Sequence, residues 1–164
     1  MIVFWIIWTL AIALVLTSGA VLLFGAPYMP TLKKQQEIAL DLLDLKQGQV
    51  VYDLGCGDGR FLTAAARRGL KAVGYELNPF IALIAWTSTR RYRRQVKVKW
   101  GNFWKANIGE ADGIFVFLLD RFMPQLDKKV KAEAKAGIKL VSHAFKIPGK
   151  KANLKKSALF LYKY

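Results

Sequence analysis

Val50-Val51-Tyr52-Asp53-Leu54-Gly55-Cys56-Gly57-Asp58-Gly59-Arg60-Phe61 decides the fold of this chain. Its first five residues form an apolar, β-branched run with a single acid, the pattern of a short buried strand. Glycines then alternate at 55, 57 and 59, so the backbone can turn tightly and approach a ligand without Cβ obstruction. Residues 59–68 read as a helix closed by Gly69, and a helix start aims its free N–H groups at the same spot. Ligands of open α/β sheets bind beyond the carboxyl ends of such strands.

The same alternation continues outward. Residues 32–46 place Leu32, Ile38, Leu42, Leu43 and Leu45 among polar ones, an amphipathic helix expected to end at Gly48. Strand patterns follow at 72–75, 96–100, 113–118, 138–142 and 158–162. The run at 113–118 is apolar throughout, as a central strand covered on both faces would be. Helices are expected at 79–91, with Pro79 suitably placed at the start, and at 122–135. The class is therefore α/β with a mostly parallel sheet.

A dinucleotide fingerprint would read G-x-G-x-x-G, with pyrophosphate at the helix start. This turn reads G-x-G-x-G, and Asp53 before it would repel phosphates. Glu76 ends the second strand 21 residues after Gly55, where a carboxylate can hold two ribose hydroxyls. Both acids favour a ligand with a ribose and a positive, phosphate-free end. S-adenosyl-L-methionine has both.

All 26 Lys and Arg and all 11 Asp and Glu lie within residues 33–164, which carry the whole net charge of +15. That excess attracts something anionic, lipid or nucleic acid. Cys56 is the only cysteine and His143 the only histidine, which leaves no disulfide framework, no metal cluster of these residues and little material for a Ser-His-Asp triad. Residues 1–24 hold no charge and no proline. As a helix they would reach about 36 Å, enough for a hydrocarbon core of about 30 Å. The expectation is a transmembrane anchor at 1–24, with Trp5, Trp8 and Tyr28 toward its ends. A hinge at 25–31 and a catalytic domain at 32–164 follow. Lys33 and Lys34 after the span, with nothing basic before it, place the N-terminus outside and the domain in the cytoplasm.

Three segments together resemble a known family: Gly25-Ala26-Pro27-Tyr28-Met29-Pro30-Thr31, the turn from Val51 to Arg60, and Gly74-Tyr75-Glu76-Leu77-Asn78-Pro79. Val141-Ser142, Phe145 and Ile147-Pro148-Gly149 extend the likeness. The chain is similar to the class I methyltransferases, and within them to membrane-anchored protein-lysine methyltransferases, among them those of the ATP synthase c-subunit and the adenine nucleotide translocase. The resemblance implies a Rossmann-like class I methyltransferase fold preceded by one transmembrane helix. It further implies S-adenosyl-L-methionine as cofactor and a lysine-bearing protein, itself a membrane protein, as substrate. The bilayer would be a second partner, through residues 1–24. By the same resemblance Asp53, Gly55, Cys56 and Gly57 shape the cofactor turn, Glu76 with Asn78 serves the ribose, and Asn102 with Phe103 flanks the adenine. The segment after Pro148 departs from the family, being short and lysine-rich.

A lysine acceptor must lose its proton before attack, and a nearby carboxylate helps. Asp120, after the fourth strand, is the candidate, set against a role as cap of the next helix. His143 at the end of the fifth strand could touch substrate or simply pack. Cys56 reads as a small turn residue, and Tyr28 as a cofactor cover or an interfacial anchor. Arg90, Arg91, Arg93, Arg94, Lys97 and Lys99 form a basic run that suits a solvated face, anionic lipid or RNA. No Asn/Asp-Pro-Pro-aromatic tetrad follows the fourth strand, and no Pro-Cys pair occurs, which counts against nucleic acid as substrate.

Overall fold

The structure is a computed structural model that describes residues 1–9, 12 and 31–164. Helix α1 (Lys33–Leu43) leads into β1 (Val50–Leu54), α2 (Arg60–Arg67), β2 (Lys71–Glu76), α3 (Pro79–Thr89) and β3 (Val96–Trp100). Then come β4 (Gly113–Val116), α4 (Met123–Glu133), β5 (Lys139–His143), β6 (Leu154–Lys156) and β7 (Leu159–Lys163). The strands form one seven-stranded sheet in the order β3-β2-β1-β4-β5-β7-β6. β1 to β5 run parallel, while β7 lies antiparallel to both β5 and β6. The order reverses at β1, so the ends of β1 and β4 open a crevice at the topological switch point.

Two-residue alternation sorts the core onto the two faces of the sheet. Val51, Phe115 and Val141 pack with Ala39, Leu40 and Leu43 of α1, with Phe61, Leu62 and Ala65 of α2 and with Ala85 of α3. Tyr52, Leu54, Ile114, Val116 and Leu140 face the other way, onto Met123, Leu126 and Val130 of α4.

β1 and β3 coincide with their sequence patterns, and several other boundaries move. α1 ends at Leu43, well before Gly48, because Asp44 takes the left-handed conformation (φ 46°) and returns its N–H to Leu40. β4 stops at Val116: Phe117 and Leu118 leave the ladder although Leu118 stays buried, so the apolar run outlasts the strand. β6 was not expected, and its three residues are all exposed.

The expected transmembrane helix, and with it the single-pass placement, is overturned. Among the described residues no helix is long and apolar enough to cross a membrane. Parts of the expected span lie outside the described residues, as do residues 25–30 of the hinge and Tyr28. Thr31 is buried, and its carbonyl accepts from Gln36 Nε2 at 2.6 Å, which fixes the end of the expected hinge onto α1.

Candidate functional site

Glu76 joins three strand ends at the crevice. Its carboxylate accepts from the N–H of Gly57 (3.1 Å) and of Asn78 (2.8 Å), and its own carbonyl accepts from Gly101 N–H (2.9 Å). The glycine turn after β1, the start of α3 and the loop after β3 are thereby tied to one residue. Gly55 and Cys56 both donate to the Tyr75 carbonyl, at 3.0 and 2.9 Å. Beneath the turn, Phe61 stacks on Phe115 with ring centroids 4.2 Å apart.

The turn is also pressed against α3. Gly59 sits at φ 81°, and a Cβ there would meet Thr89 Cγ2 at 2.8 Å and Ala85 Cα at 3.3 Å. Ser88 Oγ donates to the Asp58 carbonyl at 2.6 Å, and Asp58 pairs with Arg60 at 2.5 Å.

Asp53 is 3% exposed at the end of β1. Burial pushes its carboxyl well above the usual range, and the nearby Glu76 and Asp58 push it further. Burial raises Glu76 as well, against the opposing hydrogen bonds from Asn78 and Gly57. A buried acid that resists ionisation, as Asp53 does, suits a cationic ligand, whose charge would relieve it. This fits a sulfonium and an ammonium better than a phosphate.

A stability prediction follows from the raised carboxyl. The native state holds this proton to a higher pH than the unfolded chain does, so stability falls as pH rises from the ordinary carboxylate value through the raised one. Asp53→Asn removes that loss. Thermal melts of the ligand-free protein will show the variant gaining on wild type as pH increases, with no gain at pH below about 4. An advantage that stays constant with pH would refute the assignment.

The remaining expected residues take mixed positions. Asn78, 2% exposed, caps α3, its Oδ1 accepting from Phe80 N–H (2.9 Å) and Ile81 N–H (3.3 Å). Asn102 caps the short turn Phe103–Lys105 by accepting from Trp104 N–H at 2.9 Å, and Phe103 is buried with its ring 4.4 Å from Trp104. The Cys56 side chain faces the core beside Gly74, and burial pushes its thiol far above the usual range, so it is no nucleophile. Asp120 is exposed at the start of the turn Asp120–Phe122. It does not cap α4, whose N-cap is Phe122 without a side-chain bond. His143 ends β5, half-buried.

Lys129 was missed. Its Nζ donates to the Trp104 carbonyl (3.2 Å), to the Ala106 carbonyl (2.6 Å) and to Glu133 (2.7 Å), so α4 holds the loop that carries Asn102 and Phe103. The signal was present: a lysine inside the buried stripe Met123, Leu126, Val130. Lys99, a member of the basic run, donates its Nζ to Tyr75 Oη at 3.1 Å.

Known proteins are similar to this chain in both sequence and fold. The family described as the ANTKMT methyltransferase domain matches residues 53–154. The chain is 36% identical over 127 residues to a protein-lysine N-methyltransferase of Saccharolobus islandicus, covering 75% of this chain and 79% of that one. It is 35% identical over 126 residues to the Mus musculus lysine N-methyltransferase of the ATP synthase c-subunit, covering 74% of this chain. The chain spans 50% of the length of that mouse protein and 57% of its Rattus norvegicus counterpart. Among solved structures, an RNA methyltransferase of Salinibacter ruber in complex with S-adenosyl-L-homocysteine superposes with a TM-score of 0.77 at 28% identity. That match covers 83% of this chain and 92% of that one.

Proposed function

We propose, from the premise that this chain belongs to the ANTKMT methyltransferase-domain family, that it methylates lysine side chains of a membrane or membrane-proximal protein with S-adenosyl-L-methionine. The observation that carries this reading is the match to the Saccharolobus islandicus protein-lysine N-methyltransferase, across 79% of that protein. The buried pair of Asp53 and Glu76 supports the cofactor.

The bound cofactor supplies a methyl group on a sulfonium, which leaves by in-line displacement. In this reading Asp53 provides negative charge next to the cationic end, and Glu76 accepts from the ribose hydroxyls. Gly55 and Gly57 allow close backbone approach, and Asn102 with Phe103 borders the adenine. Asp120, exposed after β4, holds the incoming lysine and takes the proton that its ammonium must lose, leaving a lone pair for the methyl carbon. A substrate near a membrane is supported by the surface of α3. Phe80, Leu83, Ile84 and Trp86 are exposed there and Trp100 stands close by, its Nε1 donating to the Leu77 carbonyl at 3.1 Å. Exposed Arg90, Arg91, Arg93 and Arg94 continue the chain. An apolar band followed by arginines suits a partner at an apolar–aqueous boundary.

The likeness to the Salinibacter ruber RNA methyltransferase and the same arginines favour a second reading, methylation of RNA. Purified protein, methyl-labelled S-adenosyl-L-methionine, cell membranes and total RNA, incubated together and then separated, distinguish the two. We expect label in protein, found by mass spectrometry as methyl-lysine. Label in RNA alone would overturn the lysine reading.

A further inference from the structure

β4 leaves the ladder with Val116 opposite Ser142, so Phe117 stands beside His143 at the end of β5. Their ring centroids lie 4.3 Å apart. Asp53, Phe115 and Val141 share one register line, and alternation puts Phe117 and His143 on the same face one step nearer the strand ends. Two strand spacings and two residues of rise separate the His143 backbone from Asp53 by about 12 Å. The expected cofactor residues occupy the β1, β2 and β3 ends. The β4 and β5 ends carry none of those expected residues.

His143 Nδ1 is buried without a hydrogen-bond partner among the described residues. Gln35 Oε1 shares that condition, on α1, which packs across β5. The backbone holds the imidazole in place. Ala144 takes the left-handed conformation (φ 68°) and donates its N–H to Ala158 O at 2.8 Å. Phe145 N–H donates to His143 O at 2.9 Å, and the Ser142 hydroxyl donates to Phe145 O. A buried N–H with no acceptor is rarer and costlier than a lone pair with no donor. The ring proton is therefore assigned to Nε2. Burial lowers the imidazole pKa, which favours the neutral ring.

We infer that Phe117 and His143 form the seat of the acceptor segment, an inference that rests on the lysine-methyltransferase reading. Phe117 lies along the lysine stem, and His143 Nε2–H donates to a peptide carbonyl beside that lysine. The site thereby selects a lysine within a polypeptide over a free amine. His143 touches substrate in this arrangement, and methyl transfer itself needs no proton from it.

Because His143 is the only histidine, its imidazole NMR signals are unambiguous in the full chain. S-adenosyl-L-homocysteine binding is first measured by calorimetry, and Nα-acetyl-lysine-N-methylamide is then added as the acceptor probe. We expect the proton on Nε2, a shift of its signal with the probe and little shift with 1-aminopentane, which lacks a carbonyl. His143→Gln, which keeps a donor in that place, will retain saturation-transfer contact with the probe, and His143→Leu will bind it at least tenfold more weakly. Both variants will keep their nucleoside affinity. A proton on Nδ1, or unmoved His143 signals with the nucleoside bound, overturns this inference alone. Failure to bind the nucleoside at all overturns the cofactor reading and this inference with it.

Discussion

Glu76→Ala will weaken S-adenosyl-L-methionine binding by about 1.5–3 kcal/mol, roughly 10- to 150-fold, as read by calorimetry. The carboxylate is expected to receive ribose hydroxyls, and hydrogen bonds to a charged group fall in that range. Its second task sets the size of the loss. Gly57 N–H and Asn78 N–H both donate to this carboxylate, so alanine leaves two donors facing a gap and loosens the glycine turn. Glu76→Gln separates the two tasks. Its amide oxygen can still serve one donor while its NH₂ opposes the other, so its affinity will fall between wild type and alanine. An unchanged affinity in Glu76→Ala would remove Glu76 from the site.

Gly74→Ala will destabilise the domain by about 1–3 kcal/mol, the range for overpacking a filled core. A Cβ at Gly74 would meet Leu62 Cδ1 at 2.5 Å and both Cβ and Sγ of Cys56 at 2.7 Å. Leu62 can turn its methyl group away, but the Cys56 Cβ moves only with the backbone of the turn. At about 2–4 °C per kcal/mol for a chain of this size, the melting temperature will fall by several degrees. Cys56→Gly will recover part of the loss in the double variant, because the two sites share one space. A purely additive double variant would mean that the cost arises elsewhere. Ligand affinity will fall too, because Cys56 belongs to the turn.

Alternation and turn chemistry made most of this fold legible. β1 and β3 match their sequence patterns to the residue because each is bounded by a turn residue, Gly55 and Gly101, or by a polar break, Gln49 and Gln95. β6 escaped because Leu154-Lys155-Lys156 is exposed and charged, and only its pairing with β7 makes it a strand. Asp44 ended α1 in a conformation that glycine was expected to supply. At the site, Asp53 and Glu76 were visible as acids at strand ends. That Asn78 and Asn102 cap helical turns, and that Lys129 reaches back to the 104–106 loop, depends on distances the sequence does not carry. The apolar run at 1–24 showed the opposite failing: composition alone suggested a span that no described helix has.

The position of β7 bears on how the chain folds as it is made. Five parallel strands leave the ribosome first, and β5 then presents an open edge until residues 159–163 arrive to pair with it. Until then Leu140 and Val141, buried in the finished sheet, stand next to unpaired backbone groups that could recruit another nascent chain. The last strand thus acts as a latch on cotranslational assembly. A polypeptide halted before Leu159 would have its cofactor turn and Glu76 already synthesised and still be a substrate for chaperones rather than a working domain.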